Sequence, residues 1–378
     1  MRKKIFMKTL YSYLLCVLFV SVACAQETRE NDVPISSNTD YTYELIVPDL
    51  TNPWGMDFLP DGSILITEKS GELIHAKNGV KTMISGVPKV VARGQGGLLD
   101  VRLHPDFKNN ANIYLTYSSP EGEGEGAYTA LMMATLKDAA LINQKVLYKG
   151  GPNTRKGHHF GSRIVFDDAG HVYFSIGDRG ARDENPQDIT RDGGKIYRLN
   201  LDGSIPKDNP FVGESGAREA IFSYGHRNPQ GMAIHPKTRE VWLHEHGPRG
   251  GDEINISRSG KNFGWPVISY GINYSGTTFT EITQKEGMEQ PVYYWVPSIA
   301  PSGMAFVDGS KDKHLEGNIL AGSLKFQYLE HLVLKKDKVV KREKILEDVG
   351  RVRNVVMGPE GEVYLGVEGK GILKLVKK

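Results

Sequence analysis

From residue 41 to the C-terminus one pattern of apolar and polar positions recurs: an apolar stretch of strand length, a turn rich in Pro, Asp and Gly, then a second apolar stretch. Six copies align, at residues 55–67, 99–117, 163–177, 231–245, 303–321 and 355–367. Apolar runs of this length bounded by turn residues predict strands, and two joined by such a turn predict a hairpin. Phe58, Leu103, Phe166, Ile234, Phe306 and Met357 hold the equivalent position, at spacings of 45, 63, 68, 72 and 51 residues. Uneven spacing means one sheet unit repeated with loops of different length. A further strand-like run follows each copy, at 72–76, 130–136, 195–200, 253–257, 331–335 and 372–376. Repeated strand units without a helical period predict an all-β chain, a six-bladed β-propeller with four-stranded antiparallel blades around a central axis. The competing architecture is a β-sandwich, for which six copies are too many. A propeller must close its ring, and the predicted closure pairs 43–47 with the sheet formed by 363–367 and 372–376.

Composition adds little to the fold but bounds the partners. The formal charge is +2, and Arg2, Lys3, Lys4 and Lys8 are the only charged residues among the first 25. Without them 43 basic residues face 45 acidic ones, which implies neither a nucleic-acid nor an anionic-membrane surface. Residues 1–25 read as a secretory signal: a basic start, an apolar run over 14–22, then Ala23-Cys24-Ala25. The run is too short for a spanning helix. Export predicts a periplasmic protein, or an outer-membrane lipoprotein if Cys24 is lipidated; Ser21, three residues before it, disfavours the lipid. Both cysteines, Cys16 and Cys24, lie in this segment, so the body of the chain carries no disulfide. Residues 26–40 are polar and aperiodic and read as a disordered leader before a propeller over 41–378.

The chemistry concentrates at strand ends. Arg227, Lys325, Arg351 and Arg353 fall in three different repeats, each beside a turn. The strand period of two puts Arg351 and Arg353 on one face, where paired guanidiniums suit carboxylate or phosphate. The alternative is a solvated edge with salt bridges. Cations converging on one axis predict a small polyanion. His159 precedes the third repeat and Asp178 follows it, and a His oriented by an Asp is how a general base near neutral pH is built. His244 and His246 flank Glu245 and offer two imidazoles on one strand face, but no third zinc ligand stands at a familiar spacing. Gly247-Pro248 followed by Gly250-Gly251-Asp252-Glu253 offers carbonyls and carboxylates on a turn, which suit calcium; an ordinary acidic turn is the alternative.

Taken together, GQGGLLDVRLHPDF, HFGSR, IGDRG, YGHRNPQG, HGPRGGDEIN, NFGWP, GSLK and RVRN occur in one order from about residue 54 onward. In this the chain resembles the soluble pyrroloquinoline quinone (PQQ)-dependent aldose and glucose dehydrogenases. The resemblance implies a six-bladed propeller that oxidises the anomeric carbon of aldoses to lactones, with PQQ and calcium at its axis. By position, Gln95, Arg227, Asn228, Lys325, Arg351 and Arg353 match PQQ contacts, and PQQ is a tricarboxylate. His159 matches the catalytic base and Asp178 its acidic neighbour. The carbonyls of Gly247 and Pro248 match those holding calcium against PQQ, and Glu253 with the carbonyl of Phe263 matches a second, structural calcium site. Tyr274 resembles a cofactor-contacting tyrosine of the aldose-specific branch.

Departures from the pattern are few. Phe263 stands where a tyrosine is common, Ser298 replaces a threonine beside the cofactor, and the segment between Pro266 and Trp295 is shorter than in the glucose-specific branch. The shorter segment implies an open site and a loose sugar preference. By the resemblance, His159 takes the proton of the C1 hydroxyl as a hydride passes to PQQ. No C-x-x-C-H haem motif is present, so electrons must pass to a separate acceptor. Two other readings remain open: a calcium-dependent lactonase on a similar propeller, and a propeller that binds sugar or protein without chemistry.

Overall fold

Each of the six repeats folds into the two innermost strands of a sheet, and the third run pairs outside them. In the computed structural model, which describes residues 33–378, blade 1 comprises Pro53–Phe58, Ile64–Glu68, Leu73–Lys77 and Val80–Ile84. Blade 2 comprises Leu98–Leu103, Asn112–Ser119, Tyr128–Lys137 and Ala140–Lys149. Ile164–Phe166, His171–Ile176, Lys195–Asn200 and Ile221–Tyr224 form blade 3, and Pro229–Ile234, Val241–Glu245, Asp252–Ser257 and Tyr293–Trp295 form blade 4. Blade 5 is built from Pro301–Phe306, Ile319–Ser323, Leu329–Lys335 and Lys338–Ile345, and blade 6 from Val352–Met357, Val363–Val367 and Gly371–Lys377.

The ring closes as expected. Tyr41–Pro48 pairs antiparallel with Gly371–Lys377, Tyr43 opposite Leu375 and Val47 opposite Ile372, and so becomes the outer strand of blade 6. An N-terminal strand completing the C-terminal blade removes the open edge an unclosed ring would leave.

One expectation needs correction. The leader is not structureless throughout: Ile35–Asn38 forms a fifth strand on blade 5, parallel to Lys338–Ile345, with Ser36 opposite Glu343. Its side chains are mostly exposed, so nothing in the apolar pattern could mark it; backbone pairing to a sheet edge carries it. The predicted signal over 1–25, the lipid on Cys24 and the leader up to residue 32 lie outside the described residues. Among the described residues no helix is long and apolar enough to cross a membrane.

The core lies between blades rather than along the axis. Leu65, Leu73 and Leu98 pack with Val101, Leu115 and Met132 between blades 1 and 2. Trp242, Ile254 and Trp295 pack with Phe306, Ile319 and Leu332 between blades 4 and 5. Fully burying each such side chain contributes roughly 1.5–3 kcal/mol. At the axis a charged residue joins the ring. Arg163 is buried and reaches Asp100 Oδ1 of blade 2 at 3.1 Å, the Gln230 carbonyl of blade 4 at 3.1 Å and Asn354 Oδ1 of blade 6 at 3.1 Å. Its guanidinium also lies 4.2 Å from the Trp54 ring centroid of blade 1. A buried charge is tolerated only when paired and hydrogen-bonded, so this one residue fixes the relative placement of five blades.

Candidate active site

Chain direction sorts the two ends of the axis. Gln95, His159, Arg227, Ser298 and Arg351 all lie just ahead of inner strands, so they gather at one mouth. Phe166, Ile234, Phe306 and Met357 end those strands and line a cavity of about 360 Å³ at the other mouth, which holds none of the predicted site residues.

His159 and Asp178 meet there. Imidazole Nδ1 donates to Asp178 Oδ1 at 2.6 Å. Asp178 is held in turn by the Gly180 N–H at 2.7 Å and, on Oδ2, by the Trp265 indole N–H at 2.9 Å. His159 sits in the left-handed region at φ 58°, which a residue other than glycine adopts only when its surroundings impose it. Here the surroundings are visible: its N–H donates to Gln95 Oε1 at 2.8 Å. Burial lowers the imidazole's proton affinity, the positive charge of Arg227 lowers it further, and Asp178 only partly opposes them, leaving a pKa of about 4. Burial would raise the Asp178 carboxyl, but the hydrogen bond and charge of His159 and the charge of Arg227 outweigh it and hold it low. At neutral pH the pair is therefore a neutral imidazole beside a carboxylate. With the Nδ1 proton committed to Asp178, Nε2 is the nitrogen able to accept a proton.

Arg227 and Asn228 connect this pair to the carbonyl turn. The Arg227 N–H donates to Glu245 Oε2 at 2.6 Å, and its Nη1 donates to the carbonyls of His246 at 3.0 Å and Gly247 at 2.7 Å. Asn228 is fully buried; its Oδ1 accepts from the Gly161 N–H at 3.1 Å, while its Nδ2 has no hydrogen-bond partner among the described residues. An orphaned buried donor costs about 1–3 kcal/mol unless something else accepts from it. Asp252 fixes the turn, its Oδ1 accepting from the Gly247 N–H and its Oδ2 from the Ala300 N–H, each at 2.8 Å. Ser298 Oγ accepts from the Gly250 N–H at 2.9 Å and donates to the Pro248 carbonyl at 3.3 Å. The carbonyls of Gly247 and Pro248 each retain a second lone pair, the hard oxygen donor that calcium takes.

Glu253 lies beneath this turn. It is near Asn255, whose Nδ2 also reaches Glu245, and Glu245 bonds His226, whose ring stacks on Phe263 at 4.5 Å. Burial and the neighbouring charge of Glu245 push the Glu253 carboxyl above the usual carboxylate range. Asn255 Oδ1 is buried without a partner among the described residues. Glu253, Glu245 and the orphaned Asn255 oxygen together form an oxygen-rich donor set of the kind a divalent cation takes. His244 Nε2 and His246 Nε2 instead turn to the carbonyls of Gly303 and Pro301, in keeping with the absence of a zinc pattern.

The other predicted cations differ in how firmly they are held. Arg351 and Arg353 share one face, as the strand period required, and both bond Glu368, with Nε to carboxylate distances of 2.6 and 2.9 Å. Arg353 also reaches Gln230 Oε1 and Ser302 Oγ at 3.3 Å, while Arg351 Nη1 donates to the Leu324 carbonyl at 2.9 Å. Lys325, next to Leu324, is exposed with its ammonium 4.9 Å from the Phe326 ring. Tyr274 is 73% exposed on the loop between the last two strands of blade 4, outside this buried network. Several residues of the site escaped the sequence reading. Trp265 and Gln230 lay in the NFGWP and YGHRNPQG motifs without a role, Asn185 looked like an ordinary polar residue, and Glu368 was a lone acid in a glycine-rich turn. Asn185 Nδ2 donates to the Asp178 carbonyl at 3.1 Å.

Comparison with known proteins places the chain in a family. The family model for glucose/sorbosone dehydrogenase matches residues 50–375. The chain is 44% identical over 330 residues to the aldose sugar dehydrogenase YliI of Escherichia coli K12, covering 85% of this chain and 88% of that protein. Its fold matches the crystal structure of the soluble E. coli aldose sugar dehydrogenase in the apo form at a TM-score of 0.86 and 42% identity, over 89% of this chain and all of that one. It also matches the PQQ-bound form of aldose sugar dehydrogenase from Streptomyces coelicolor at 0.74 and 25% identity, over 91% of this chain and all of that one. On the motifs, the fold and these matches, the chain belongs to the glucose/sorbosone dehydrogenase family.

Proposed function

We propose that this protein oxidises aldose sugars at C1 to the corresponding lactones, using PQQ and calcium at the mouth of the propeller and passing electrons to a separate acceptor. The observation that carries the reading is the neutral His159 imidazole, oriented by Asp178 and set beside cationic Arg227. When bound, calcium-polarised PQQ supplies the electron sink for the hydride leaving C1. Arg227, Lys325, Arg351 and Arg353 would hold the carboxylates of PQQ, Gln95, Asn228 and Ser298 would supply neutral contacts, and Tyr274 would cover it from the exposed loop. Gly247 and Pro248 would hold the catalytic calcium by their carbonyls, and Glu253 and Phe263 the structural one.

His159 Nε2 takes the proton of the sugar's C1 hydroxyl, and Asp178 stabilises the imidazolium that results. Arg227 does the complementary work: its charge adds to burial in keeping His159 neutral before reaction and favours negative charge developing nearby. The test is dye reduction by the purified chain with an aldose panel. Calcium- and PQQ-dependent reduction supports the reading. No turnover, with no perturbation of the PQQ spectrum on titration, would leave the lactonase or the non-catalytic propeller in its place.

A further inference from the structure

Blade 5 carries a cluster of ligating side chains unconnected with the chemistry above. His331 on Leu329–Lys335 lies opposite Glu343 on Lys338–Ile345, and its Nδ1 is 2.8 Å from Glu343 Oε2. His314, on the turn between the two inner strands, brings Nε2 to within 2.5 Å of the same oxygen. The three ligand atoms all lie within 4.8 Å of one another. Asn38, the last residue of the leader strand, places its amide 3.5 Å from His314 Nε2.

We propose that His314, His331 and Glu343, with Asn38 beside them, bind one divalent ion of the zinc class, and that this ion fastens the leader strand Ile35–Asn38 to the propeller. Two imidazoles and a carboxylate are donors for zinc and its neighbours in the transition series, whereas calcium takes oxygen only. Tetrahedral bonds of about 2.0–2.2 Å set ligands about 3.3 Å apart, so the carboxylate must retreat by roughly half to nearly one ångström from the nitrogens it now touches. His331 is fully buried and its Nε2 has no partner among the described residues, so this ring is tied into polar structure only through the cluster. Lys341 holds the other carboxylate oxygen at 2.6 Å, but its side chain is 53% exposed and can turn into water when a cation arrives.

The placement gives the ion its consequence. Glu343 is the partner of Ser36 across the parallel pairing, and Asn38 lies two residues on. The leader strand exposes nearly all its side chains and has little apolar burial to hold it. A metal at its end would supply what packing does not.

The test uses the full chain without a histidine tag, stripped with chelator and resupplied with calcium so that oxygen-only sites are filled. Zinc is then titrated against a chromophoric chelator, and cobalt(II) is added separately for its visible absorption. The expected result is one equivalent of zinc per chain, bound at least about 30-fold more weakly in His314→Ala and Glu343→Gln. His314 is partly exposed, so His314→Ala should keep the wild-type far-ultraviolet spectrum and melting temperature without zinc. Amide exchange over residues 33–40 should slow on adding zinc to the wild type and not to His314→Ala. Equal zinc affinity in wild type and His314→Ala, or no stoichiometric binding, would overturn the site. Zinc binding that leaves exchange over 33–40 unchanged would overturn the fastening of the leader.

Discussion

Asp178 accepts the Nδ1 proton of His159 at 2.6 Å while its second oxygen is taken by the Trp265 indole at 2.9 Å, so the carboxylate cannot turn away from the ring it orients. Replacing it by Asn keeps the shape but can present an amide N–H to Nδ1 and so favour the wrong tautomer. Asp178→Asn is expected to lower kcat by about 10²- to 10⁴-fold with little change in PQQ affinity. Steady-state kinetics beside a PQQ titration would check this. Trp265→Phe removes the second hydrogen bond and trims the ring beside Arg227, and because it leaves the Asp178 to His159 contact in place it should cost less.

The proton affinity of His159 has a measurable consequence for stability. Its folded pKa, about 4, lies below the ordinary histidine value near 6.5, so the unfolded state binds the extra proton between these limits. The contribution is present above the unfolded value and is lost as pH falls toward 4. Asp252 and Glu253 are raised by burial and act in the opposite sense, so the effect is best read as a difference. The stability of wild type relative to His159→Gln is expected to grow as pH rises from 4 to 6.5 and to level off above that. Parallel denaturant titrations would show it.

Gly177 stands between the two halves of the site. A Cβ there would lie 2.6 Å from the His159 carbonyl and 2.7 Å from Asn228 Oδ1, both far too close. Gly177→Ala should fold with a loss of about 1–3 kcal/mol and a fall in kcat that exceeds any change in KM. Thermal melts and kinetics on one preparation would separate the two.

For the cofactor cations, exposure ranks the effects. The Arg353 side chain is 12% exposed and that of Arg351 is 46%. Arg353→Ala is expected to weaken PQQ binding by about 10- to 100-fold, Arg351→Ala by less and with a stronger dependence on salt. Titration of PQQ at two ionic strengths would give the order.

Removing residues 41–48 takes away the outer strand of blade 6, the buried Tyr41 and Val47, and the Tyr41 hydroxyl bond to Asp312 at 2.7 Å. The melting temperature should fall by about 10 °C or more, because the cost is a whole strand rather than a contact. An unchanged melt would show that the ring does not depend on this closure.

How much of this the sequence announced follows from where burial lies. The inner hairpins were legible because strands such as Ile64–Glu68 and Val241–Glu245 are buried throughout and so read as apolar runs. Other outer strands than the closing one were not: Val80–Ile84 is exposed at four of its five positions, and Ile35–Asn38 is held by backbone pairing that leaves no side-chain signal. His159 with Asp178 and the Arg351–Arg353 pair were legible from hairpin ends and strand period, which are local. Glu368 and Asn185 were not, because their roles depend on partners 15 and 7 residues away that only the folded turns bring near. Trp265 is farther still, 87 residues from Asp178.

The most direct test of the account is the absorbance of PQQ bound to the calcium-loaded protein when an aldose is added without oxygen. The account predicts loss of the oxidised quinone spectrum, one equivalent per site, in the wild type, and no loss in His159→Gln although it still binds PQQ. A wild-type spectrum that binds PQQ yet does not change with any aldose, or a His159→Gln that reduces it at the wild-type rate, would contradict the account.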